Sequence, residues 1–201
     1  MVISRIEQTF AGVYEITPDA GSAFFLRKDY LSQVNPDVLS AGQEISEEAA
    51  ADLLNASVVY AAELAAMSYL SRAEQCRAGL ERKLAAKGAC KSAVKAALDY
   101  LEQERCLDDC RFAGAWLRSR SIDHAEGRAR LEAELYARGI GKADAKKALD
   151  DFFSDRDELA VCARAYRKIC GLKKDGQKIK SALVRKGFSL RQIHEVMGSC
   201  D

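Results

Sequence analysis

One arrangement of apolar and polar positions occurs three times along the chain. Residues 80–88 read LERKLAAKG: an apolar residue, a leucine four positions later, and a basic residue directly before a glycine. The leucine falls on the same helical face as the first apolar residue. A basic residue in the last turn followed by glycine is typical of a helix end. The other copies are residues 131–139 and 179–187, and the three glycines lie 51 and 48 residues apart.

Each glycine is predicted to adopt a left-handed conformation and to be followed at once by a second helix. The next residue, Ala89, Ile140 or Phe188, would then contact the leucine of its own copy. In the third copy, Ser189 and Gln192 have the spacing of a capping box. Helix–glycine–helix turns are common and resemble one another, but agreement in register over about twenty positions favours a repeat.

The first part of the chain has the composition of β-strands. Segments 3–10, 13–16 and 23–26 are rich in β-branched and aromatic residues, and a cluster of turn residues at 17–22 separates the last two. This pattern predicts a small antiparallel meander of two or three strands. A sheet of this size must pack on something else to be stable.

The remainder of the chain has the pattern of helices. Ser46 is predicted to cap a helix that runs, with a break near Asn55, towards Ser71, the expected cap of the next helix. Each unit then has three helices, and stacked units would be elongated and curved. The predicted fold is mainly α: three tandem three-helix repeats in an elongated, curved array, preceded by a small β-rich N-terminal extension. We expect the extension, short antiparallel strands plus a helix, at residues 1–55 and the repeats at 56–106, 107–154 and 155–201.

Charge is distributed unevenly along a chain that is almost neutral overall. The 201 residues carry a net charge of +1, and 48% of them are hydrophobic, enough to form a core. Residues 1–56 hold 3 basic and 9 acidic side chains, or −6, whereas residues 159–201 hold 10 and 3, or +7. The acidic head and basic tail indicate two contact surfaces, and the tail can meet phosphates. A merely solvated basic face is the alternative.

Cysteine usage and the N-terminal sequence favour the cytoplasm. The 7 cysteines are an odd number without regular spacing, which is typical of reduced thiols in a cytosolic protein. The N-terminus lacks the apolar segment of a signal peptide. The apolar stretch 58–70 contains Glu63 and is too short to span a bilayer. We therefore expect a cytoplasmic protein with no membrane partner.

The sequence offers little for catalysis or metal binding. Asp108 and Asp109 are adjacent at a predicted helix start, where they suit capping better than acid–base chemistry. Cys106, Cys110 and His124 lack a fourth ligand and a CxxC spacing, which argues against zinc. We expect no catalytic residue, no metal site and no cofactor, in a protein that is not an enzyme.

Basic side chains are the better candidates for binding, because they can contact either acidic protein surface or nucleic acid. Phe112 and Trp116, four positions apart in the second copy, suit a core better than a base-stacking platform. The candidate partner-binding residues are Arg72, Arg77, Arg82, Lys83, Lys87, Arg111, Arg118, Arg120, Arg128, Arg130, Arg138, Lys173, Lys174, Lys178, Lys180, Arg185 and Lys186.

The second copy resembles the signature of the RecX family. Residues 107–113 read LDDCRFA, and they are followed by Trp116, Arg120, Gly127 and, at 134–140, ELYARGI. Single elements of this pattern are weak, but their order and spacing together are hard to obtain by chance. Tandem three-helix repeats are also a feature of that family, and the periodicity of this chain predicts them independently.

The resemblance extends over roughly residues 56–201. In the first copy, YLSR at residues 69–72 is similar to the start of the family's first repeat. Gly79 departs from the family, in which an acidic residue is common at that position, and the third copy keeps little beyond the helix pattern. Residues 1–55 look like the less regular N-terminal extension that some members carry.

The resemblance implies a function that composition and spacing do not give. It implies a monomeric regulatory protein that binds the RecA–DNA filament in its helical groove. There it would inhibit the recombinase, ATPase and co-protease activities of RecA in DNA repair, recombination and the SOS response. The basic tail leaves an alternative open, a basic helical module that binds single- or double-stranded DNA independently of RecA.

Overall fold

A computed structural model describes residues 1–171 and 175–198 of the chain. In this part the chain forms three strands and nine α-helices. The strands are β1 (Ile3–Phe10), β2 (Val13–Pro18) and β3 (Phe24–Arg27). The helices are α1 (Glu47–Leu70), α2 (Arg77–Ala86), α3 (Lys91–Gln103), α4 (Asp109–Asp123), α5 (Arg128–Ala137), α6 (Lys142–Ser154), α7 (Glu158–Cys170), α8 (Gly176–Arg185) and α9 (Leu190–Gly198). The predicted mainly helical fold with a small N-terminal sheet is confirmed.

The chain divides into two compact units. The first unit comprises Met1–Ala73 and Leu80–Leu107, and the second comprises Glu74–Gly79 and Asp108–Asp201. Each unit has its own hydrophobic interior.

The sheet of the first unit is an antiparallel meander in the order β1-β2-β3. Ile6 of β1 pairs with Ile16 of β2, which pairs in turn with Phe24 of β3. The inner face of the sheet buries Ile16 and Leu26 against Leu53 of α1. The predicted meander is confirmed, and α1 supplies the support that three short strands need.

An ion pair fastens the end of the sheet to α1. The Arg27 guanidinium donates from Nε to Glu63 Oε2 at 2.8 Å and from Nη2 to Glu63 Oε1 at 2.5 Å. The Tyr30 hydroxyl donates to the same carboxylate at 2.7 Å. The hydrogen bond to Glu63 raises the pKa of Arg27, and burial, followed by the bond to Glu63, raises the pKa of Tyr30. Because Glu63 is almost fully buried, these bonds are what make its charge tolerable inside the unit.

The helix α1 is continuous, so the predicted break near Asn55 is wrong. Ser46 caps it as expected, accepting a hydrogen bond from the Ala49 N–H at 3.2 Å. Buried contacts of Leu53 and Ala56 on either side of Asn55 hold the helix together, and they outweigh the weak helix propensity of asparagine. The boundary proposed between residues 55 and 56 therefore lies inside one helix.

Ser71 ends α1 and does not cap α2, which corrects a second expectation. Its N–H donates to the Met67 carbonyl at 2.9 Å, and α2 begins only at Arg77. The N–H of Arg77 is satisfied by Asp109 Oδ1 at 2.7 Å, a carboxylate that is distant in the sequence. Burial raises the pKa of Asp109. Local sequence could not reveal this cap, because the capping group comes from the start of α4.

By length and apolar composition alone, α1 could cross a membrane. In the structure it packs on β3 and α3, and it carries two buried carboxylates, Asp52 and Glu63, that bind groups of the first unit. The apolar composition of α1 is therefore explained by its position as the central helix of a folded unit.

The three predicted glycine stops are confirmed. Gly88, Gly139 and Gly187 have φ angles of +82°, +91° and +86°. The N–H that follows each glycine donates to the carbonyl of the leucine in the same copy, the bond that defines a Schellman ending. These bonds are Ala89 to Leu84 at 3.2 Å, Ile140 to Leu135 at 3.1 Å and Phe188 to Leu183 at 3.3 Å. The predicted capping box is also present, with Ser189 N–H donating to Gln192 Oε1 at 2.9 Å and Gln192 N–H to Ser189 Oγ at 3.3 Å.

Two glycines of the second unit bring backbone against backbone. Gly127 caps the N-terminus of α5, and its N–H donates to the Lys186 carbonyl at 2.8 Å. A Cβ on Gly127 would lie 2.3 Å from the Gly187 carbonyl oxygen. A Cβ on Gly187 would lie 2.2 Å from the Arg130 backbone nitrogen. The start of α5 and the end of α8 can therefore meet only if both positions lack a side chain.

A methyl group at Gly127 should be much more damaging than one at Gly141. Both glycines cap a helix N-terminus with negative φ and without a side-chain bond, but a Cβ at Gly141 has only Asp144 Oδ2, at 3.7 Å, nearby. Gly141→Ala should cost up to about 1 kcal/mol, and Gly127→Ala about 2–4 kcal/mol because the clash adds to the capping loss. Urea unfolding of both variants measures the difference, and equal losses would contradict the close contact.

Asp52 is the other buried carboxylate of α1, and it organises the loop that precedes α1. It accepts hydrogen bonds from the N–H groups of Gln33 at 2.8 Å and Val34 at 3.0 Å. It also binds the N–H and the hydroxyl of Ser32, the latter at 2.7 Å. Burial raises the pKa of Asp52, but the hydrogen bonds from the Gln33 backbone and from Ser32 and Val34 outweigh it, so the net pKa is lowered.

Asp52→Asn should destabilise the first unit by about 1.5–3 kcal/mol, because the amide nitrogen of asparagine cannot accept the hydrogen bonds that the carboxylate accepts from these donors. Because the pKa of Asp52 is lowered in the folded state, its carboxylate stabilises the fold at pH values above the unfolded-state pKa of about 3.9. This stabilisation is lost as the pH falls through the folded-state pKa. The wild type should therefore lose more stability than Asp52→Asn on acidification from about pH 5 to about pH 2. Urea midpoints across this range test it, with exposed Glu44→Gln as the control. Parallel curves for wild type and Asp52→Asn would refute it.

Candidate functional site

Many of the candidate basic residues are neutralised within their own unit. In the second unit, Arg111 Nε lies 2.5 Å from Glu74, Arg128 Nη1 lies 2.6 Å from Asp150, and Lys178 Nζ lies 3.5 Å from Asp175. Glu134 binds two arginines, Arg130 at 2.5 Å and Arg138 at 2.8 Å. Such ion pairs orient the side chains but reduce the positive charge that is available to a partner.

Trp116 is the centre of an arginine cluster in the second unit. The guanidinium carbon of Arg138 lies 4.3 Å from the centre of the indole ring, and that of Arg120 lies 5.3 Å from it. Arg120 also binds Glu126, a buried carboxylate, through Nε at 2.6 Å and Nη2 at 3.0 Å. The bond to Glu126 raises the pKa of Arg120. Trp116 and Phe112 pack against the interior of the second unit. The contacts with Trp116 hold the guanidinium groups of Arg120 and Arg138 in place.

The basic residues of the first unit form a different arrangement. Lys83 and Lys87 of α2 both lie over the ring of Tyr69, with Nζ at 4.9 Å and 5.0 Å from its centre. Arg72 and Arg82 are exposed. Stacking over an aromatic ring holds an ammonium group in place without neutralising it. Arg72, Arg82 and Lys87 therefore present positive charge at the surface of the unit.

The described candidates in the third copy lie on α8 and at its C-terminal end. Lys180 Nζ lies 2.8 Å from His194 Nε2, and Lys186 Nζ lies 3.5 Å from the Ala125 carbonyl oxygen. Arg185 is exposed. Arg77 is half-buried, with its backbone N–H bound to Asp109. Lys173 and Lys174 lie outside the described residues.

A cleft between α4 and α6 brings together basic side chains that the sequence places far apart. It has a volume of about 650 Å³, and we call it the α4–α6 cleft. Its small residues are Cys110, Gly114 and Ala148, and its one aromatic residue is Phe152. The charged lining residues are Arg111, Arg118, Lys147 and Arg156, with Asp108, Asp151 and Asp155.

Sequence reasoning found two of the four cations of this cleft, Arg111 and Arg118, and missed Lys147 and Arg156. The last two occur in a stretch where acidic residues balance basic ones, so the local charge gives no signal. Only the packing of α4 on α6 reveals the group. A helical projection of α6 shows that Lys147 and Asp151 share a face, but it cannot show what lies opposite.

The four cations of the cleft differ in how firmly they are held. Arg111 is paired with Glu74, and the Arg156 guanidinium lies 4.1 Å from the centre of the Phe152 ring. Among the described residues, the side chains of Arg118 and Lys147 have no hydrogen-bond or ion-pair partner. Burial raises the pKa of the Cys110 thiol, so this thiol stays protonated at neutral pH and is a poor nucleophile. Because Arg118 and Lys147 have no partner among the described residues, the cleft can bind negatively charged groups.

Comparison with known proteins gives the family. The family model described as RecX, second three-helix domain, matches residues 108–149, which include α4 and α5 and the first part of α6. The regulatory protein RecX of Treponema pallidum (strain Nichols) is 38% identical over 130 residues, which are 65% of this chain and 79% of the relative. That of Halorhodospira halophila is 31% identical over 140 residues, which are 68% of this chain and 86% of the relative.

Solved structures share the fold. A crystal structure of regulatory protein RecX superposes with a TM-score of 0.76 at 24% identity and covers 98% of both chains. A second structure, RecX from Lactobacillus salivarius, has a TM-score of 0.62 at 21% identity and covers 71% of this chain and 96% of that one. The likeness extends to the N-terminal sheet in the first case, since nearly the whole chain is covered. With the sequence identities above, it follows that this chain belongs to the RecX family of regulatory proteins.

Proposed function

We propose that this protein binds the RecA–DNA filament in its helical groove and inhibits the recombinase, ATPase and co-protease activities of RecA. It would thereby act in DNA repair, recombination and the SOS response. The observation that carries the proposal is the membership in the RecX family, whose members are named regulatory proteins. In this role the protein acts by binding, as a monomer in the cytoplasm, and not as an enzyme.

The distribution of charge supports a protein partner. In the second unit, carboxylates hold Arg111, Arg120, Arg128 and Arg138 in fixed positions, so the surface carries both signs close together. A surface of mixed sign suits another folded protein, whose charges can be complementary in detail. A bare phosphate backbone is matched better by a continuous basic stripe.

The repeated helix endings support binding to a helical assembly. The same glycine stop occurs at Gly88, Gly139 and Gly187, and we propose that it marks three repeats with boundaries near residues 56–106, 107–154 and 155–201. A chain of similar modules can contact similar surfaces on successive protomers of a filament. Because the modules are joined in one chain, the first contact raises the effective concentration of the others and so increases the overall affinity.

The purified protein should lower RecA-dependent ATP hydrolysis on single-stranded DNA at less than one molecule per RecA protomer. Strand exchange and co-protease cleavage of a repressor should fall in parallel, because a ligand in the groove obstructs all three activities. The measurement is a titration of this protein against preformed filaments. Unchanged RecA activities at saturating protein would eliminate the proposal.

DNA binding without RecA is the second candidate, and the charge of residues 159–201 favours it. Such binding should weaken steeply with salt, because each phosphate contact releases counterions. Charge reversal of Lys173, Lys174, Lys178 and Lys180 should then abolish binding to DNA alone. If RecA inhibition persists in this variant, the two roles are separate. If wild-type protein does not bind DNA in anisotropy measurements at low salt, the second candidate fails.

A further inference from the structure

We propose that the α4–α6 cleft is the docking site for a carboxylate-bearing segment of the protein partner, with Arg118 and Lys147 as the residues that bind the carboxylates. This inference rests on the proposed function, since it names the surface by which the second unit would hold the filament protein. It assigns the contact to two side chains out of the many basic residues of the chain.

The cleft is large enough to admit a segment of a partner protein. Its volume of about 650 Å³ is large enough for several side chains of a partner. Cys110, Gly114 and Ala148 are small, so they leave room between the charged residues. Ala148 is almost fully buried in the core, which makes this wall of the cleft rigid. An apolar side chain of the partner can enter here while its neighbours reach the cations.

The two cations are available to a partner. Arg118 is exposed on α4 and Lys147 is exposed on α6, and neither side chain has an ion-pair partner among the residues that the structure describes. By contrast, Arg120, Arg128 and Arg138 of the same unit are bound to carboxylates. A guanidinium without a partner can form a two-point contact with an incoming carboxylate, and binding requires no existing ion pair to break.

The position of Arg118 depends on Gly114, one helical turn before it. A Cβ at Gly114 would lie 3.3 Å from Arg118 Nη1, closer than an ordinary contact. The guanidinium therefore lies along the α4 backbone at the edge of the cleft. Glycine inside a helix costs about 1 kcal/mol relative to alanine, and at this position it gives the guanidinium the space that a methyl group would restrict.

The acidic residues of the cleft favour a protein segment over a nucleic acid as its ligand. Asp151 and Asp155 line the same cleft and are exposed. Asp108 lines it too, although its carboxylate accepts the Arg111 N–H at 2.8 Å. A nucleic-acid backbone carries a negative charge at every step, so these carboxylates would repel part of it. A protein segment can place its own basic or apolar residues against them, and for this reason we favour a protein segment over DNA.

The test compares two double variants with equal changes in net charge. Arg118→Glu/Lys147→Glu alters the cleft, whereas Lys142→Glu/Lys146→Glu alters exposed residues of α6 that do not line it. Affinity of each labelled protein for RecA filaments, and separately for single-stranded DNA alone, is measured by fluorescence anisotropy. The cleft variant should bind filaments about tenfold or more weakly, and the control variant should stay within about twofold of the wild type.

Each other outcome has a definite meaning. Equal losses in both variants would show a non-specific charge effect and would overturn the docking site. Loss of DNA binding with unchanged filament binding would assign the cleft to nucleic acid and would also overturn it. If wild-type protein itself does not bind filaments, the proposed function fails, and the docking site fails with it. Circular dichroism checks folding, and Arg118→Gln/Lys147→Gln replaces the cleft variant if charge reversal unfolds it, with the same expected loss.

Discussion

The left-handed glycine that ends a helix is the constraint on which the helical part of this protein depends. At Gly88, Gly139 and Gly187 it turns the chain within one residue, so the next helix can begin immediately. The bond from the following N–H to the leucine carbonyl satisfies a backbone group that would otherwise be unpaired near the core. Since a side chain at positive φ costs about 1–2 kcal/mol, glycine is strongly favoured at all three positions.

The three glycines lie in different surroundings, and these determine how strongly a side chain at each position would destabilise the protein. A Cβ at Gly88 would meet open space, whereas one at Gly139 would lie 2.5 Å from the Ala78 Cβ. At Gly187 it would collide with the Arg130 backbone. Backbone conformation alone therefore requires the first glycine, and close packing within the second unit adds to the requirement at the other two. Replacement of Gly187 should therefore disturb the packing of α8 against the start of α5 as well as the turn itself.

Local features of this fold could be predicted from sequence, and features that depend on distant residues could not. The glycine stops, the Ser46 cap and the Ser189–Gln192 box depend on a few neighbouring residues. The cap of α2 comes from Asp109, and the contact of Gly127 with Gly187 joins segments 60 residues apart. For the site, the basic residue type could be predicted from the sequence, but the arginines that carboxylates neutralise could not. That selection depends on packing, which also brings Lys147 and Arg118 to the same cleft.

The residues that recur between the copies and the residues that bind a partner are therefore different sets. Recurrent leucines and glycines are buried or fixed in turns, so they specify a module and leave little of themselves to recognise. Carboxylates pair with five arginines of the second unit, Arg111, Arg120, Arg128, Arg130 and Arg138, and each internal ion pair reduces the charge presented to a partner. Arg118 and Lys147, which have no ion-pair partner among the described residues, share a cleft with acidic residues. A surface of this kind selects by the pattern of charges and not by their sum, which is close to zero in this chain.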